Sequence, residues 1–233
     1  MSGFFRFIDS SVGKKIVMAL TGLFIILFLV EHLAGNLLLL LNDNGKIFEE
    51  YSAFMASSLN IPVRIVEIGL FFFIIYHIVN GVRLWWGNRV ARGFSYKVND
   101  PSENSTFFSR FMIWGGTIVF IFLVIHLRTF FFPYRLGNPS NTMYEGAVEA
   151  FSNPYYSIFY IIALIFLAFH LVHGFQSAFQ SLGIRHNKYT AIIKNFGIVF
   201  SILLCAGFAL IPPCAAILCA LLALSWKQND FTL

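Results

Sequence analysis

Six histidines occur in the 233-residue chain, and five of them, His32, His77, His126, His170 and His173, lie inside long apolar runs. Imidazole can ligate a metal through a neutral ring nitrogen or pass a proton near neutral pH. An ionisable residue in an apolar span is costly to keep there and marks a functional position by default. The first four are separated by 45, 49 and 44 residues, close to one span plus one connection. Each therefore falls on its own successive helix. His173 follows His170 by three residues and shares its helix.

The elements that carry them are membrane helices. The chain is 58% hydrophobic and only 12% charged, against about a quarter charged in soluble domains. A hydrocarbon layer of about 30 Å needs roughly 20 apolar residues per helix. Five segments meet that length, at about 15–41, 62–86, 108–132, 155–181 and 196–225. The expected fold is an all-α membrane protein, one domain of five transmembrane helices bundled around a cofactor. The first run follows Lys14 and Lys15 as a signal peptide might, but it is too long, carries Glu31 and His32, and has no small-residue cleavage site. Cys205, Cys214 and Cys219 are an odd number in the last apolar run, which suits structural thiols. Pro212 and Pro213 predict a kink or break in the fifth helix, which has no histidine and reads as a packing or lipid-facing element.

Basic residues alternate with acidic ones between the spans. Arg6, Lys14 and Lys15 precede the first, Arg89, Arg92 and Lys97 follow the second, and Arg185, Lys188 and Lys194 follow the fourth. Asp43, Lys46, Glu49 and Glu50 follow the first span, and Arg128, Arg135, Glu145 and Glu149 lie between the third and fourth, so the excess of basic residues falls on the other side. The positive-inside rule then puts the N-terminus in the cytoplasm and the C-terminus outside. The net charge of +5 marks orientation, and nucleic acid is not expected as a partner.

Depth follows from topology. His32 and His126 each come late in an outward-running helix, so both lie in the outer half. His77 and His170 come late in inward-running helices and lie in the inner half. Two facing imidazoles at one depth suit a low-spin haem iron with no open position, and two such haems would form an electron path across the bundle. Transition-metal transport and a proton relay along a water path are the alternatives. Gly81 and Gly174 follow His77 and His170 by four residues, on the same helix face, leaving room for a porphyrin or simply for close helix packing. His32 has Gly35 and Asn36 at similar offsets, whereas His126 has bulky Phe130.

SSVGKKIVMALTGL at the start of the first span, EHLAGNL around His32, HIVNGVRLWW around His77, SRFMIWGG before His126 and HLVHGFQSAFQSLG around His170 resemble, in combination, one family. It is the single-polypeptide di-haem cytochrome b membrane subunit of succinate dehydrogenases and fumarate reductases, the succinate:quinone oxidoreductases. The resemblance spans nearly the whole chain. It implies two haems b, the inner held by His77 and His170 and the outer by His32 and His126. It also implies quinone as substrate, a flavoprotein and an iron-sulfur subunit docked on the cytoplasmic face, and a place in the bacterial cytoplasmic membrane. The chain would belong to an enzyme whose dicarboxylate chemistry lies on a partner subunit. Di-haem cytochromes of nitrate reductase, formate dehydrogenase or hydrogenase are rivals, but they commonly place two ligands on one helix.

Secondary candidates surround the histidines. Glu31 could carry protons toward an outer quinone site or pair with Arg128. Arg83, Arg110, Ser177 and Gln180, at the inner ends, could hold haem propionates or a quinone carbonyl, with arginine suited to carboxylates. Arg83 beside Trp85 and Trp86 also reads as an interfacial anchor. His173 could replace His170, contact a propionate or quinone, or only pack. Arg64 and Glu67 read as an i,i+3 pair or as snorkelling side chains.

Overall fold

A computed structural model describes residues 3–91, 112–137, 139–184, 186 and 188–214. The described residues are helical, with no strand among them. Helix α1 (Gly3–Asp9) leads into α2 (Ser11–Leu37), which tightens into a 3-10 turn at Leu38–Leu40. Ser10 starts α2 by accepting the Gly13 amide at 3.0 Å, a side-chain N-cap. Helix α3 (Lys46–Ala56) lies in the first connection, and α4 (Ile61–Ala91) is the second span. At 31 residues α4 is about 46 Å long, and it runs five residues past the expected end at 86.

The third span is continuous but changes register. It begins as α5 (Met112–His126), passes through a π turn at Leu127–Phe131, and ends as α6 (Phe132–Leu136). Pro133 lacks an amide donor and so cannot complete the α pattern upstream, which accounts for the wider turn beside it. Helix α7 (Met143–Ser152) follows, opened by a capping box of Thr142 and Glu145. The fourth span, α8 (Pro154–Ser181), has Pro154 at its first position and Asn153 capping the amides of Tyr155 and Tyr156 at 3.0 and 3.3 Å. Gly183, at φ +78°, supplies the left-handed residue just beyond its end. The last described helix, α9 (Thr190–Ala209), begins six residues before its expected start. It breaks at Leu210 and resumes for one turn at 211–214, where Pro212 and Pro213 sit. The expected continuation to 225, with Cys219, lies outside the described residues.

Five helical segments are long and apolar enough to cross a membrane: Ser11–Leu40, Ile61–Val90, Met112–Leu136, Pro154–Ser181 and Thr190–Cys214. Helix α8 is the hub, packed against α2, α5 and α9, while α4 leans on α2. Leu164, Leu167 and Leu171 of α8 meet Leu204 and Cys205 of α9 in mid-bundle. The connections α3 and α7 follow the first and third spans and so sit at the same end. There Phe48, Tyr144, Ala147 and Phe151 close over Leu39, Tyr160 and Ile211. Outward-facing Leu27, Ile65, Ile68, Phe72 and Leu203 stay exposed on the isolated chain, as a lipid-facing surface requires. The molecule is a five-span all-α membrane protein.

Candidate functional site

Two histidine pairs form where helices with little direct packing come near each other. His32 of α2 faces His126 of α5, ring centroids 5.7 Å apart and nearly perpendicular. His77 of α4 faces His170 of α8 at 6.4 Å. Thr21, beside His77, precedes His32 by eleven residues on α2, so the pairs are separated by about 16 Å along that axis. The pair of His32 and His126 lies toward the end covered by α3 and α7.

Each pair contains one imidazole whose proton is placed by its neighbours. The Thr21 hydroxyl donates to the Val17 carbonyl at 2.9 Å, which leaves its oxygen to accept from His77 Nδ1 at 3.2 Å. His77 therefore carries its proton on Nδ1 and presents a lone pair on Nε2. For His126 the same logic runs through a longer chain. Thr129 donates to the Ile125 carbonyl at 3.0 Å, and Tyr156 donates to Thr129 at 2.9 Å. Tyr160 stands 3.1 Å from Tyr156 and must give its proton there, so it accepts from His126 Nδ1 at 3.1 Å. With both threonine protons on these carbonyls, which can only accept, each remaining link runs outward from the imidazole.

The opposing rings are held differently. Asn36 donates to the His32 backbone carbonyl at 2.7 Å, and its amide nitrogen lies 3.4 Å from Nδ1. His170 Nδ1 is buried without a hydrogen-bond partner among the described residues. No described residue bonds Nε2 of any of the four rings. Phe28 stacks on His32 at 5.2 Å, and Phe122 and Phe130 flank His126 at 5.7 and 5.4 Å.

This donor set fits haem iron. Two imidazoles on one metal ion, bonded at about 2.0 Å each, have centroids about 6 Å apart, close to both pairs. Each pair supplies two nitrogens, and among the described residues no cluster of three or more His, Cys, Asp or Glu forms a cage for a bare ion. A macrocycle that brings its own four equatorial donors needs only two axial ones from the protein. The glycines divide. A side chain at Gly174 would meet nothing within 4 Å, whereas one at Gly81 would meet Met18 of α2 at 3.2 Å, so Gly81 serves helix packing. Gly22 and Gly116, within the stretches SSVGKKIVMALTGL and SRFMIWGG, lie against the rings of His77 and His170, where an added Cβ would sit 3.3 and 3.5 Å from Cε1.

Other candidates settle elsewhere. Glu31 accepts a 2.5 Å hydrogen bond from Tyr51 of α3, and Arg128 is not its partner; α3 folds back over the end of α2 and brings the phenol to the carboxylate first. Burial and the Glu31 contact push the Tyr51 hydroxyl well above the ordinary phenol range. Arg64 and Glu67 form the i,i+3 pair, Arg64 also donates to the Met55 carbonyl, and Arg135 joins Glu67 at 3.1 Å. Arg83 pairs with Asp9 at 3.2 Å, both half exposed, an anchor of α1 worth little energetically. Ser177 bonds His173 Nε2 at 3.1 Å, and Gln180 is exposed. Arg110 lies outside the described residues.

No curated protein and no solved structure matches the chain. Residues 15–107, which cover most of the first span, the second span and one histidine of each pair, are similar to the family model of the succinate dehydrogenase/fumarate reductase transmembrane subunit.

Proposed function

We propose that the chain is the membrane anchor and electron-transfer subunit of a succinate:quinone oxidoreductase, passing electrons between an iron-sulfur subunit and membrane quinone. The observation that carries this reading is the meeting of four intramembrane histidines in two pairs, on a chain whose first two spans match that family. His77 and His170 would hold an inner haem b, and His32 and His126 an outer one. Bound haem supplies one-electron transfer between ferric and ferrous states. The protein's part is to hold the axial nitrogens, keep them neutral in an apolar bundle, and fix which nitrogen points inward. Thr21 and Tyr160 do the last of these for His77 and His126.

The basic connections after the second and fourth spans support a cytoplasmic N-terminus and docking of the flavoprotein and iron-sulfur subunits on that face, in a bacterial cytoplasmic membrane. His173, with Ser177 on its Nε2, is left as a contact for a propionate or quinone rather than a ligand. Glu31 remains a proton-transfer candidate at the outer end, acting with Tyr51.

The test is purification from native membranes. The expected preparation shows reduced-minus-oxidised b-type bands, two haems per chain, a co-purifying flavin subunit and succinate-dependent quinone reduction. A folded but colourless protein contradicts the haem assignment. A molybdenum-containing partner moves the chain to a nitrate reductase or formate dehydrogenase.

A further inference from the structure

The hydroxyl chain behind His126 is longer than holding one ring requires. Thr21 places the His77 proton with a single side chain, whereas His126 has three in series, Tyr160, Tyr156 and Thr129. The last link returns to the Ile125 carbonyl, next to His126 in sequence, through the π turn that begins at Leu127. The circuit thus closes on the residue preceding the one it positions. Its near end is packed, with Tyr160 only 6% exposed among Phe122, Phe130 and Phe151. Its far end is not: Thr129 and Tyr156 border a cleft of about 460 Å³ shared with Tyr134, Asn141 and Glu149.

We propose that Thr129, Tyr156 and Tyr160 act as a positioning relay that sets the electron affinity of the outer site through the hydrogen bond to His126 Nδ1. The inference rests on the reading of His126 as an axial ligand. A ring whose Nδ1–H donates to an oriented acceptor is a more basic donor at Nε2, and a more basic axial ligand favours the ferric state. Each phenol in the series spends its proton on the next oxygen, so its own oxygen is held ready to accept. Breaking the series at Tyr156 frees the Tyr160 proton to turn toward His126 and oppose the Nδ1–H form. A residue that never touches His126 then governs it, and the inner pair, with its separate Thr21 contact, is untouched.

The experiment is redox titration of the two b haems in the purified complex carrying Y160F, Y156F, T129V or T129S. Y160F and Y156F are expected to shift the ferric-to-ferrous equilibrium of the outer haem about tenfold toward ferrous, about 59 mV more positive for one electron. T129V shifts it in the same direction, T129S restores the wild-type value, and the inner haem stays constant throughout. The low-spin electron paramagnetic resonance signal of the outer haem should move with the potential in the same variants. Two haems with an unmoved outer potential in both Y160F and Y156F overturn the relay alone. T129S behaving as T129V does the same, because it makes the effect one of packing. Loss of both haems from the wild-type protein overturns the functional reading and the relay with it.

Discussion

Replacing Thr21 by valine removes one oxygen and almost no volume. Thr21 is 4% exposed, and its hydroxyl is the acceptor for His77 Nδ1 at 3.2 Å while donating to Val17 at 2.9 Å. The Val17 carbonyl keeps its helical bond when the hydroxyl goes, so its loss there is small. The His77 N–H does not keep its partner. A buried donor left unpaired costs about 1–3 kcal/mol, and such support to a metal-binding histidine is worth about 10- to 100-fold in affinity. T21V should therefore lose the inner haem first, as half-stoichiometric haem after washing in detergent or as a displaced inner midpoint potential. T21S keeps the acceptor and should behave as wild type. The assay is haem quantitation per chain with redox titration of both centres. Full occupancy and two unchanged midpoints in T21V would refute the reasoning, as would a change confined to the outer haem.

The other expectations concern the shell and the ends. G22A puts a Cβ 3.3 Å from the His77 ring, which must yield by a few tenths of an ångström, whereas G116A makes an ordinary 3.5 Å contact with His170; the inner-haem spectrum should change in the first and not the second. Y51F removes the bond to Glu31 and should lower Tm by about 2–4 °C, for a loss of about 1 kcal/mol. The raised Tyr51 pKa means the folded protein favours the neutral phenol, so this contribution is complete below about pH 10 and declines above it. Thermal melts of wild type and Y51F should therefore converge only in strong alkali; convergence near neutrality contradicts the assignment. E67Q leaves both Arg64 and Arg135 without their carboxylate and should cost about 1–2 kcal/mol, less than the ~3–5 kcal/mol of a fully buried pair. R135Q spares the Arg64 pair and should cost less than E67Q in the same thermal assay.

The spans were legible because length and hydropathy act over twenty residues at a time, and the equal depths of His32 with His126 and of His77 with His170 follow from counting along antiparallel helices. The rings do meet in those combinations. What supports them was hidden because it is set by helix rotation and packing. Thr21 and Tyr160 reach their histidines across 56 and 34 residues of sequence, and no local pattern singles them out among other hydroxyls. The π turn after His126 depends on how Pro133 is accommodated in a packed helix, and without it Thr129 gives no sign of serving the relay. Glu31 looked in need of a cation, but its partner is the neutral Tyr51, carried by α3, an 11-residue helix in a connection too short and polar to read as a span. Helix α7 had a usable signal in the spacing of Thr142 and Glu145, a capping box set in the polar stretch from Arg135 to Pro154.

The central claim is that each facing pair holds one haem. It is tested most directly by replacing His32, His77, His126 and His170 singly with alanine and recording which b-type centre disappears from spectra and redox titrations of the folded complex. H77A and H170A are expected to remove the same centre, and H32A and H126A the other. Loss of different centres in H77A and H170A, or retention of both centres in any of the four, contradicts it.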